Sequence, residues 1–173
     1  NPWKRAVRIG DIQFLKDGTG VGVTVDGDVW MIRGLHEMSG PVKWKRFASG
    51  LHEPMTCAIR DGHIFVFDRN GIWKLIDTNN DGEADLYENF NNDFQVTPAF
   101  HEFAFGLDTD SEGNFYSAKG GPVRQGGRAW EPLSDHSGCL FKISRDGQKF
   151  EVFATGIRAP NGIGVGPNDE VSN

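Results

Sequence analysis

Helical periodicity is nearly missing from these 173 residues, so the chain does not read as a helical fold. No run of about 18 apolar residues exists either, and without one no transmembrane helix is expected. Positive charge is in deficit: 18 Lys and Arg stand against 24 Asp and Glu, a formal net charge of −6. That balance argues against nucleic acid as a partner, because phosphate contacts need clustered cations. Cysteine is scarce. Cys57 and Cys139 cannot build a disulfide framework and lack the Cys-x-x-Cys spacing of metal or haem-attachment sites. Each sits in an apolar, strand-like run and reads as a small buried hydrophobe, with a bridge between the two as the alternative. The first residue is Asn1 and no charged-then-apolar leader follows it, so a targeting signal is expected to be removed or to lie outside the chain.

Glycine and aromatic residues are plentiful, with 23 Gly and 12% Phe, Trp and Tyr. They fall into a recurring pattern of strand, tight turn and strand. Val21 to Val25 leads through Asp26-Gly27 to Val29–Ile32, and Ile64 to Phe67 leads through Asn70-Gly71 to Ile72–Ile76. Asn or Asp before Gly supplies the positive φ that hairpin turns require. A longer phrase repeats as well. Phe47-Ala48-Ser49-Gly50-Leu51-His52-Glu53-Pro54 returns as Phe153-Ala154-Thr155-Gly156-Ile157-Arg158-Ala159-Pro160, with one further hairpin unit between the copies. A unit of about 50 residues with several short strands is the pattern of propeller blades. The expected fold is all-β, with blades over residues 8–46, 47–97 and 98–152 and the start of another over 153–173. That last unit is expected to show only its first strand, Ile163-Gly164-Val165, so the chain reads as part of a larger propeller. The connection from Lys119 to Ser137 is long, and its Trp130 either pins the loop or stacks on a ligand.

The most specific local motif is Asp77-Thr78-Asn79-Asn80-Asp81-Gly82-Glu83-Ala84-Asp85-Leu86-Tyr87-Glu88. Oxygen side chains stand at its positions 1, 3, 5, 9 and 12, Gly at 6, and the carbonyl of Glu83 at 7. This is calcium-loop spacing, in which alternate residues point inward and the last carboxylate closes the shell. The flanks read as strands, so the expected ligands Asp77, Asn79, Asp81, Glu83, Asp85 and Glu88 lie between strands rather than between helices. A polar turn without a metal is the alternative. Asp108-Thr109-Asp110-Ser111-Glu112-Gly113 echoes the motif without the later ligands and reads as a solvated turn.

Aligning the units on Ala58, Ala104 and Gly164 brings His52-Glu53, His101-Glu102 and Arg158 to equivalent strand entrances. Imidazoles, carboxylates and a guanidinium on one funnel suit proton abstraction beside an anionic ligand. Each group also has a plain structural reading, as a cap on a strand end.

Gly50-Leu51-His52-Glu53-Pro54, His101-Glu102-Phe103-Ala104-Phe105-Gly106 and Gly156-Ile157-Arg158-Ala159-Pro160-Asn161-Gly162 resemble a bacterial propeller family related to the quinoprotein glucose and sorbosone dehydrogenases. The resemblance runs from about Arg8 to the end and implies half of a six-bladed propeller. It further implies a periplasmic or extracellular location, pyrroloquinoline quinone as cofactor and a carbohydrate or alcohol substrate. The electron acceptor would be a c-type cytochrome domain, its haem lying outside this chain. By the same resemblance His101 is the base and Arg158 holds the cofactor; His52 and Glu102 are expected to line the same funnel, and Asn161 to face the cofactor. The Asp that orients the base in such enzymes has no match in Ser117-Ala118-Lys119-Gly120, and Glu102 is the candidate substitute. Two other functions stay open. Pro160-Asn161-Gly162 also fits a metal-dependent lactonase, with Glu53 or Glu102 as a further ligand, and a non-catalytic propeller would bind a glycan or a protein.

Overall fold

Period-two alternation of apolar residues, broken by turn residues, folds here into consecutive antiparallel hairpins. The computed structural model describes residues 6–36, 40–97, 102–122 and 134–173. Strands β1 (Ile9–Phe14), β2 (Gly20–Thr24), β3 (Val29–Arg33) and β4 (Lys43–Ala48) form the first sheet. The second holds β5 (Thr56–Arg60), β6 (His63–Asp68), β7 (Gly71–Ile76) and β8 (Leu86–Asn91). The third holds β9 (Ala104–Thr109), β10 (Phe115–Lys119), β11 (Cys139–Ile143) and β12 (Phe150–Thr155). In all three, each strand pairs antiparallel with its neighbour in sequence. The protein is all-β: among the described residues there is no helix, and so none long and apolar enough to cross a membrane.

The last unit differs from expectation. β13 (Gly164–Val165) is followed by β14 (Val171–Ser172), so it holds a two-stranded hairpin rather than a lone strand. The cause is a turn in which Gly166 N donates to the Glu170 carbonyl and Asp169 takes a φ of 60°. Asp110 also departs from the expected solvated turn. It is buried, and accepts from Asn114 N (2.8 Å), Asn114 Nδ2 (2.8 Å) and Tyr116 Oη (3.1 Å). It caps the β9–β10 turn.

The sheets pack face against face, and β6 shows how. Ile64 and Val66 join a core with Val21, Val23, Val29 and Phe47 of the first sheet. Phe65 and Phe67, on the opposite face, join a core with Phe115, Phe141 and Ile143 of the third. Cys57 belongs to the first core and Cys139 to the second; both are buried and free, as expected of small hydrophobes.

Close backbone approach explains the repeated phrase. It begins in the last strand of a sheet and runs on towards the next sheet. Leu51 N donates to Gly27 O (3.2 Å) and Ile157 N to Gly138 O (3.0 Å), each glycine standing just ahead of a third strand. A Cβ on Gly27 would lie 2.3 Å from the Leu51 carbonyl oxygen, and one on Gly138 2.2 Å from that of Ile157. Both glycines also have positive φ, so no other residue fits there without strain.

Arg60 fastens the second sheet to the third. Its guanidinium lies over Phe65 (4.6 Å), Phe90 (5.0 Å) and Phe115 (4.2 Å), and donates to the carbonyls of Gly113 (2.6 Å) and Arg145 (3.1 Å). Arg145 in turn pairs with Asp61 at 2.6 Å. Arg60→Met, which keeps the aliphatic stem but removes the stacking charge and both hydrogen bonds, should destabilise the protein by about 2 kcal/mol. Urea unfolding measures this, and an unchanged midpoint would show that the seam holds without the cation.

Candidate functional site

The first strands of successive sheets lie side by side, β1 against β5, β5 against β9 and β9 against β13. Along them runs a cleft of about 540 Å³, lined by Asp11, Gln13, Thr56, Asp108, Thr109 and Asn161 among others. Its two carboxylates latch neighbouring sheets together. Asp11 Oδ2 accepts from Thr56 Oγ1 (2.9 Å) and Cys57 N (3.0 Å) of β5, and Asp108 Oδ2 accepts from Val165 N (2.9 Å) of β13. Asn161 stands exposed at the cleft.

A polar network lies where the chain enters β9. Glu102 is 2% exposed and Lys119, at the end of β10, 1% exposed, and the two form a buried ion pair. Glu102 Oε2 accepts from Thr97 N (2.9 Å) and from the Thr97 hydroxyl. Lys119 Nζ also donates to His136 O (3.2 Å), and His136 Nδ1 accepts from Gln95 N (2.9 Å). Burial pushes the Glu102 carboxyl up, but hydrogen bonds from Lys119 and Thr97 and the charge of Lys119 outweigh it, and the group rests below the usual carboxylate value.

Nearby, Arg69 pairs with Glu53 (3.1 Å), donates to Thr97 O (3.2 Å) and lies 5.3 Å from the Phe103 ring. Gly120 N donates to Phe103 O, and Gly121 N to Arg158 O at 3.0 Å, which brings the Arg158 backbone to this rim. The Arg158 side chain is exposed, and no hydrogen bond or ion pair among the described residues engages its guanidinium. His52 is exposed, with its backbone N held by Asp68 Oδ2 at 2.9 Å and its carbonyl accepting from Arg69 N. His101 and Trp130 lie outside the described residues.

The structure thus brings Glu53, Glu102 and the Arg158 backbone into one region, and Asn161 to the adjoining cleft. Sequence reasoning missed Lys119, Arg69, Asp11 and Asp108. Lys119 did carry a signal, since it ends a strand whose five residues are all buried and a buried Lys requires a carboxylate. The latching role of Asp11 and Asp108 leaves no such trace, because it depends on how whole sheets are placed.

The calcium-type loop joins β7 to β8. Among the described residues no three His, Cys, Asp or Glu side chains converge closely enough to hold a metal. Glu88 lies on β8 opposite Lys74, with Oε2 4.0 Å from its Nζ.

No protein-family model matches the chain, and no curated protein matches it either.

Lys119→Met leaves the Glu102 carboxylate buried without its cation and should cost about 3–5 kcal/mol in urea unfolding. The acid limb tests the pair separately. The folded Glu102 carboxyl lies below its unfolded value of about 4.3, so the unfolded chain binds more protons between the two. Its contribution is whole above about pH 4.3 and drains away as pH falls through the lower folded value. Glu102→Gln should therefore flatten the fall of stability between pH 5 and pH 2, and an unchanged slope would remove Glu102 as its source.

Proposed function

We propose that the three four-stranded sheets are consecutive blades of a β-propeller, and that the chain is part of a quinone-dependent dehydrogenase oxidising a sugar or related alcohol. One observation carries the reading: the first strands β1, β5 and β9 and the residues leading into β5 and β13 line a single polar cleft, as a propeller channel requires. The sequential strand order within each sheet supports the same architecture.

In this reading His101 takes the substrate hydroxyl proton, a task that suits an imidazole because histidine in model peptides titrates at about 6.5. Arg158, exposed and without a side-chain partner among the described residues, presents a fixed guanidinium fork to the carboxylates of the cofactor. Pyrroloquinoline quinone, when bound, supplies the hydride acceptor. Glu102 is a positioning residue rather than a base, because Lys119 and Thr97 occupy both of its oxygens. It ties residue 97 to the end of β10. His52 contributes an imidazole at the neighbouring entrance.

Asn161 at the cleft favours a second reading, a metal-dependent lactonase. Against it, both oxygens of Glu102 are occupied by Lys119 and Thr97, and Glu53 is paired with Arg69 through Oε2.

Reconstitution of the full-length protein with quinone and a dye acceptor, across a sugar panel, decides between them. His101→Ala should cut turnover by roughly 10²–10⁴-fold and leave quinone affinity largely intact, the usual consequence of losing a general base. Arg158→Ala should weaken quinone binding first. Full turnover in His101→Ala would remove the base assignment. A wild type that binds no quinone but hydrolyses lactones with a divalent metal would establish the second reading.

A further inference from the structure

The loop between β7 and β8 contains an oxygen atom with no hydrogen-bond partner among the described residues. Gly82 N donates to Asp77 Oδ2 (2.8 Å), Asp81 N to Asn79 Oδ1 (2.8 Å) and Glu83 N to Asp81 Oδ1 (2.9 Å). These bonds curl the backbone round the side chains of positions 1, 3 and 5. Asp77 Oδ1, the other oxygen of the first carboxylate, is a buried atom that accepts no hydrogen bond among the described residues. A buried carboxylate oxygen without a donor is unfavourable unless a cation meets it.

Two carboxylates compete for the closing position, and the fold separates them. Glu88 sits within β8, about half exposed, and faces Lys74 across the β7–β8 pair. Asp85 folds back over the loop: its Oδ2 accepts from Thr78 N and Thr78 Oγ1, both at 2.7 Å, and its Oδ1 from Asn79 Nδ2 at 3.2 Å.

We propose that this loop binds one calcium ion through Asp77, Asn79, Asp81, Asp85 and the Glu83 carbonyl, and that Asp85, not Glu88, closes the shell. The donors are all oxygen and come from a short segment that can adjust, which suits calcium over the strict octahedron of magnesium. The ion gathers the shell as it binds: Asp77 Oδ1 gains its partner, and Asp85 exchanges Asn79 Nδ2 for the metal.

The site also bears on the junction of two sheets. Ala84 N donates to Phe47 O (2.7 Å), Lys45 Nζ donates to Asp81 O, and Tyr87 Oη bonds the backbone of Ser49. Ordering the loop therefore braces the second sheet against β4 of the first. This inference stands whether or not the dehydrogenase reading holds.

The test uses the full-length protein dialysed against chelator, with calcium chloride in titration calorimetry, terbium luminescence excited through aromatic residues, and thermal unfolding. Wild type should bind calcium, melt at a higher temperature with it than with chelator, and respond less to equal magnesium. Asp77→Asn and Asp85→Asn should each weaken calcium binding at this site at least tenfold, while Glu88→Gln binds as wild type does. Asp77→Asn keeps an oxygen for Gly82 N, and circular dichroism without metal checks that its fold is retained. Absence of heat and terbium signal in wild type would overturn the site. Loss of binding in Glu88→Gln with retention in Asp85→Asn would overturn the closing ligand.

Discussion

Side chains on a strand alternate between its two faces, and in this protein one strand has to satisfy a core on each. β6 sends Ile64 and Val66 to the first sheet and Phe65 and Phe67 to the third. Its neighbours obey the same division, with Cys57 and Leu75 on one side and Ala58 and Ile72 on the other. A slip of one residue in the β5–β6 or β6–β7 register would exchange the two sets and ruin both cores together. The sizes differ with the gap to be filled. Branched aliphatics serve the first interface, and the second holds phenylalanine rings in edge and tilted contacts, such as Phe65 on Phe115 at 4.9 Å and Phe67 on Phe94 at 4.9 Å.

Apolar packing alone leaves stacked sheets free to slide, and polar latches fix their offset. Asp11 reaches from β1 to the backbone of β5, Arg60 from β5 to the turns of the third sheet, and Asp108 from β9 to β13. Each such contact ends on a backbone group of the next unit, so it specifies position rather than residue type. These latches hold the four first strands beside one another, and the cleft between them is a consequence.

The rim beside β9 obeys a sterner electrostatic rule. Once Lys119 is enclosed at the end of β10, its charge must be met, and Glu102 meets it. That pairing makes Glu102 unsuited to proton transfer and well suited to holding residue 97 and the end of β10 in a fixed relation. The same carboxylate type at Glu53, 41% exposed and paired with Arg69, stays partly in water. Burial separates two residues that the sequence presents as equivalents.

The all-β class, the hairpins and their turns were legible in the sequence, because period-two alternation and the positive φ of Asp-Gly and Asn-Gly are local properties of the chain. The repeated phrase ending in Pro54 and Pro160 was legible too, though its reason, a carbonyl lying against Gly27 and Gly138, was not. Tertiary structure alone decided the roles of the charged residues. Glu88 belongs to Lys74 because of cross-strand register, and Glu102 to Lys119 because β9 and β10 pair and enclose both. Asp110 is buried because Asn114, Tyr116 and the Lys142 ammonium at 3.4 Å surround it. A carboxylate's chemistry depends on what stands within about 4 Å of it, and in a β protein those neighbours come from distant parts of the chain.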